Sequence, residues 1–157
     1  MLVSSSCNID EDITTDLGKG EFYRARTAES KADWNKVYEY TPAPGQFINE
    51  TKTGGFDGTQ TTPEAAIAYA EARMSEVDGN GNPAPNWVSL GGFGGYIIVG
   101  FDHSIDNSGS YDIGILGNSF SGSSEPGIVW VMQDENGNAV HKHIMIDGIT
   151  ADQKSLK

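Results

Sequence analysis

The sequence predicts a mostly β domain, on three observations. Twenty of its 157 residues are glycine, and with many Ser, Thr and Asn they call for frequent tight turns. Only one segment has a convincing helix pattern. The remaining apolar residues fall into short β-branched and aromatic runs separated by turn signals. A chain of 157 residues suits one domain with one core.

Residues 1–20 are polar and acidic without an apolar period and read as a tether. Val37-Tyr38-Glu39-Tyr40 predicts a first strand, ended by Thr41-Pro42-Ala43-Pro44-Gly45, because proline has no N–H for a ladder. Gln46-Phe47-Ile48-Asn49 is expected to resume as an extended edge segment. Thr62-Pro63-Glu64 starts a helix: Thr62 caps, Pro63 fits the first helical position, and Glu64 faces the positive end of the dipole. Ala66, Ile67, Ala70 and Met74 recur at helical spacing, which predicts a helix over 63–76. Asp78-Gly79-Asn80-Gly81-Asn82-Pro83 stops it.

Beyond residue 87 the pattern is strands and turns. Tyr96-Ile97-Ile98-Val99-Gly100-Phe101 predicts a strand buried on both faces. Asp106-Asn107-Ser108-Gly109 predicts a turn, and Tyr111-Asp112-Ile113-Gly114-Ile115-Leu116 alternates as a second strand. Ile128-Val129-Trp130-Val131-Met132 predicts a third, with Trp130 in the core. Residues 139–157 contain one short apolar run, His143-Ile144-Met145-Ile146. These strands are few for a sandwich, which usually has about seven.

The net charge of −12 argues against nucleic acid, whose phosphates need clustered Lys and Arg. No segment approaches the roughly 18 apolar residues of a membrane span, so membrane attachment would come only through a lipid anchor. Cys7 is the only cysteine and cannot form an internal disulfide. Small residues precede it, and Asp10-Glu11-Asp12 follows. The stretch Ser5-Ser6-Cys7 resembles the end of a bacterial lipoprotein signal peptide, and the acidic run resembles the export tag of Bacteroidetes surface lipoproteins. That resemblance implies lipidation at Cys7 and a place on the cell surface as an outer-membrane lipoprotein. The alternative is a polar tail with an incidental cysteine.

Longer segments carry a second resemblance: Tyr40-Thr-Pro-Ala-Pro-Gly-Gln-Phe-Ile-Asn49, Ser89-Leu-Gly-Gly-Phe-Gly-Gly-Tyr96, Val99-Gly-Phe-Asp-His-Ser-Ile105, and residues 122–138. They resemble the family of Bacteroidetes cell-surface lipoproteins often called "cell surface protein", some of which carry PKD-like domains. The strand order is similar to a galactose-binding-like jelly roll. The expected fold is therefore a jelly-roll β-sandwich over 21–157 with one packed helix near 63–76. The match ends at Asn138, where the family continues with paired aspartates and a Trp-Tyr-Glu strand, so the domain is expected to be incomplete after 138.

Several residues are candidates for chemistry. Asp134, Asn136 and Asn138 alternate around Gly137, as oxygens must to converge on Ca²⁺, but no later carboxylate follows. Asn-Gly equally suits a hairpin turn. Asp78-Gly79-Asn80-Gly81-Asn82 has the same look. Asp102 and His103 follow the central strand, and strand alternation would point them to opposite faces, so they should not orient each other. The serines lack a nucleophile elbow. Gly91-Gly-Phe-Gly-Gly95 leads into a strand rather than a helix, which favours a close backbone approach over a phosphate loop. His141 and His143 share a strand face, yet two ligands make a poor metal site. Among the aromatics, Trp34, Tyr40, Phe47, Trp87, Phe93 and Tyr111 can stack on sugars or flat macrocycles, or simply pack the core. Trp87 and Phe93, beside glycine-rich loops, are the preferred pair, with Asp102, His103 and Asn118 as polar partners.

The expected function is a non-catalytic surface module that captures a nutrient, with an outer-membrane transporter as partner. The resemblance implies a glycan or a corrinoid as ligand. The alternative is a structural or adhesive surface module without a small-molecule ligand, which requires Trp87 and Phe93 to be buried and no pocket to exist. A hydrolase requires a converging Asp, His and nucleophile.

Overall fold

A computed structural model describes residues 20, 22–82, 84, 86–115, 117, 119, 121–122, 124 and 126–132, and the backbone of 144–147. The described residues are mostly non-helical, with one small antiparallel sheet and one α-helix. Strand β1 is Lys36–Thr41, helix α1 is Pro63–Met74, β2 is Tyr96–Gly100, β3 is Ile128–Trp130 and β4 is Ile144–Asp147. The sheet order is β1-β2-β4-β3, with each neighbouring pair antiparallel.

Helix α1 forms where its start signals lie. Thr62 is extended, and its Oγ1 accepts from the Ala65 N–H at 3.2 Å. Pro63 occupies the first turn with Glu64. The buried face carries Ala66 and Ala70. These small side chains let the helix lie close over β1, where Val37 and Tyr40 complete the core.

A bulge in β1 makes that face possible. Val37 pairs with Val99 and Tyr40 with Ile97, and the register slips between Val37 and Glu39. An inserted residue shifts the alternation by one, so two residues three apart share a face. Val37, Tyr40, Ile97 and Val99 thus form one buried patch. At the bulge, the Val37 N–H turns to α1 and donates to Glu71 Oε1 at 2.9 Å. The other face of β2 is less covered: Tyr96 and Ile98 are half-buried there, and only Gly100 is buried. The expectation of burial on both faces is corrected to that extent.

An aromatic series links the core to the loops. The Tyr40 and Phe56 rings meet edge-on at 5.5 Å, and Phe56 and Tyr69 at 5.8 Å. Tyr40 donates its hydroxyl to the Ser89 carbonyl at 2.7 Å, and Tyr69 donates to the Gly55 carbonyl at 2.7 Å. Burial pushes the Tyr40 phenol well above its ordinary range.

The Gly91-Gly-Phe-Gly-Gly95 segment is a close-approach loop, as its position before a strand predicts. Ala43 N–H donates to the Leu90 carbonyl at 3.0 Å, and Gly92 N–H donates to the Pro44 carbonyl at 3.3 Å. Gly91 has φ +76, and a Cβ there would lie 1.8 Å from the Ala43 carbonyl oxygen.

Three sequence expectations are corrected. Residues 46–49 turn rather than extend, with Phe47 at φ 67 and its carbonyl accepting from Glu50 N–H at 3.0 Å. Residues 111–115 form no strand. The Asp112 carboxylate instead accepts from the Ser108 N–H, a local bond that competes with a ladder. Trp130 is not core: it is 52% exposed on β3, which lies at the edge of the sheet. Residues 144–147, from the short apolar run of the tail, form an interior strand between β2 and β3.

Candidate functional site

Strand β2 ends at Gly100, and the chain beyond it opens a cleft of about 580 Å³. Its lining includes Ile97 and Val99 from β2, Phe101 and His103 just after it, and Met74 at the end of α1. Trp34, from the segment before β1, and Trp87, from the segment after α1, add two indoles to the same walls. Asp106 and Asp112 come from the loop that follows His103, and Arg26 and Asp33 from the segment preceding β1. The volume lies within the roughly 300–1,000 Å³ of small-molecule sites, and the mixture of apolar walls with few polar groups is their usual make-up.

Trp87 is set by backbone packing. Ser89 N–H donates to the Gly54 carbonyl at 2.9 Å, and Asn86 N–H donates to the Arg73 carbonyl at 3.1 Å. These bonds pin the chain on either side of the indole, which stays 42% exposed. Arg73 also pairs with Glu76 at 3.5 Å, and Glu76 accepts from the Asn86 side-chain amide.

Asp102 and His103 contradict the expectation that they would not orient each other. Asp102 Oδ1 lies 2.6 Å from His103 Nδ1. Both residues sit in a bend past the strand end, where alternation no longer applies. The carboxylate can only accept, so Nδ1 carries the proton, and in the neutral ring Nε2 is an acceptor. Asp102 Oδ2 accepts from the Lys31 N–H at 3.2 Å. The hydrogen bond from His103, followed by that from Lys31, holds the Asp102 carboxyl below its ordinary range despite partial desolvation. The His103 side chain is only 12% exposed.

The segment at 23–31 fastens this loop from outside. Arg24 N–H donates to Ser104 Oγ at 2.9 Å, and Ser104 N–H donates to the Arg24 carbonyl at 2.8 Å. Tyr23 donates its hydroxyl to Asp106 Oδ2 at 3.1 Å. Burial and the Asp106 carboxylate push the Tyr23 phenol up.

Of the residues chosen from sequence, Trp34, Trp87 and His103 line the cleft, and Asp102 stands behind His103. Phe93 does not join them: it is 83% exposed on the glycine loop preceding β2, whereas the cleft opens past the other end of that strand. Tyr40 is core, 3% exposed, and Tyr111 is 77% exposed outside the lining. Asn118, Asp134, Asn136, Asn138, His141, His143 and Cys7 lie outside the described residues. In the 78–82 loop, Asp78 Oδ1 accepts from the N–H groups of Asn80 at 2.8 Å and Asn82 at 2.9 Å. Those bonds hold its carboxyl low and make the loop a self-closed turn. Among the described residues there is no group of three or more His, Cys, Asp or Glu placed to hold a metal ion. Also among them, no helix is long and apolar enough to cross a membrane.

Sequence reasoning missed Arg26, Asp33, Asp106 and Asp112 as cleft residues. Only their convergence in three dimensions marks them, since Asp33 and Asp112 are far apart in the chain. A scan against protein-family models finds no match, and a search of curated proteins finds none either.

Proposed function

We propose that this chain is a non-catalytic binding module that captures a small nutrient, a glycan or a corrinoid, at the cell surface. The observation that carries the reading is the cleft with Trp34 and Trp87 among its lining residues. An indole offers a flat apolar face to a ring and an N–H at the rim. A purely structural module calls for a buried Trp87 and no pocket, and Trp87 is 42% exposed in a cleft wall. We read the site as non-catalytic because no hydrogen bond joins the Ser104 hydroxyl to His103, whose bonded partner is Asp102, as a base-activated nucleophile requires.

Further parts belong to the same proposal. The sheet β1-β2-β4-β3 is read as one layer of a jelly roll. Cys7 is read as the lipid attachment point of an outer-membrane lipoprotein of the Bacteroidetes surface family, working beside a transporter. Asp134, Asn136 and Asn138 are read as a Ca²⁺ loop. Incorporation of a labelled fatty acid that disappears in Cys7→Ala tests the anchor.

Thermal unfolding of the full chain against a glycan panel, cobalamin and Ca²⁺ tests the function. A ligand bound only by the native state at about 100 times its Kd adds about 2.7 kcal/mol of stability. The reading expects the midpoint to rise with one ligand class. A cooperative transition unmoved by every glycan and corrinoid would refute it.

A further inference from the structure

We infer that the cleft selects a ligand rich in hydrogen-bond donors and free of negative charge, a neutral or amine-bearing saccharide stacked on Trp87, and that it rejects carboxylated sugars. This rests on the binding-module reading and narrows its ligand. The lining offers more charged acceptors than charged donors. Asp33, Asp106 and Asp112 can only accept when ionised. His103 adds an acceptor, because Asp102 engages the protonated Nδ1 and leaves Nε2 as the ring's acceptor in the neutral form. Against these stand the guanidinium of Arg26 and the indole N–H groups of Trp34 and Trp87, which can only donate, while the Ser104 hydroxyl and the Asn86 amide, already donating to Glu76, can do either.

Part of the acceptor capacity is used internally. Asp106 Oδ2 takes the Tyr23 hydroxyl, and Asp112 takes both the N–H and the hydroxyl of Ser108. A carboxylate has about four lone-pair sites, so Asp33 and Asp106 keep most of their capacity for a ligand and Asp112 keeps a part of its own. Hydroxyl and ammonium hydrogens satisfy it. A ligand carboxylate brings more acceptors and a like charge beside three carboxylates with one guanidinium among them. An electron-rich indole face also favours the C–H face of a pyranose or a cation over an anion. A saccharide of two or three rings suits about 580 Å³.

The test is calorimetric titration of the full chain with three matched trisaccharides: a glucose trimer, a glucosamine trimer and a galacturonate trimer. The expected result is binding of the first two and affinity lower by about tenfold or more for the third, the cost of losing one hydrogen bond to a charged group. Trp87→Ala should weaken the neutral sugar by about tenfold, while Phe93→Ala, on the separate loop, should leave it unchanged. Circular dichroism of both variants checks the fold. Asp112→Asn should narrow the gap between neutral and acidic sugars, a readout that simple loop damage would not produce. Equal affinity for the galacturonate trimer, an unaffected Trp87→Ala, or no sugar binding at all would overturn the inference. If cobinamide binds where the sugars do not, this inference fails and the binding-module reading stands. If neither class binds, both fail.

Discussion

Two glycines of one loop separate two physical effects that substitution usually mixes. Gly91 and Gly94 both have positive φ, +76 and +90. Alanine in the left-handed region costs roughly 1–2 kcal/mol in either place. The surroundings differ. Among the described residues nothing lies within 4 Å of a Cβ on residue 94, whereas a Cβ on residue 91 would sit 1.8 Å from the Ala43 carbonyl oxygen and 2.8 Å from its carbon. Backbone cannot swing aside as a side-chain tip can, so Gly91→Ala must push the 43–45 segment away. The bonds Ala43 N–H to Leu90 O and Gly92 N–H to Pro44 O are then lost or stretched. At about 1 kcal/mol each, they bring Gly91→Ala to about 3–4 kcal/mol, against about 1–2 for Gly94→Ala. Urea unfolding of the full chain, followed by tryptophan fluorescence, reads both as changes of midpoint at constant slope. Equal losses for the two variants would refute the backbone-contact argument, and so would a smaller loss at Gly91.

Other expectations follow from single contacts. Glu71→Ala leaves the Val37 N–H of a fully buried residue without its acceptor and should cost about 1–3 kcal/mol; Glu71→Gln, which keeps an acceptor oxygen, should recover part of that in the same denaturation assay. Thr62→Ala removes the cap on Ala65 N–H and should cost about 1 kcal/mol, while Thr62→Ser should be near neutral. The Asp78 carboxyl is held low by Asn82 and Asn80 N–H groups, so its contribution is present above the unfolded carboxylate value of about 3.9 and fades as pH falls through the lower folded value. Asp78→Asn should therefore lose less stability than the parent between about pH 5 and pH 2, measured by urea midpoints at each pH; an identical acid slope would count against the loop bonds.

The sequence by itself determined the elements whose signals are local. Thr62-Pro63-Glu64 and the alanines behind it specify α1, because capping, a preset φ and dipole charge act within one turn. β-Branched and aromatic runs specify β1, β2 and β3, and glycine before a strand signals the backbone contact at 43–45. The tertiary structure decided what depends on partners. Residues 111–115 carry a strand pattern, yet Asp112 bonds back to Ser108. Trp130 resembles core and lies on the edge strand, while 144–147 obtains an interior place by pairing on both sides. Of the candidate site, Trp87 and His103 were legible as residue types beside a loop and a strand end. Their company was not. Asp33, Asp106 and Asp112 meet them, and Trp34 joins them, only because the bulged β1 aligns with β2 and the chain past Gly100 bends. Alternation along a strand governs orientation only while the ladder lasts, and where it stops, contacts between distant segments aim the side chains.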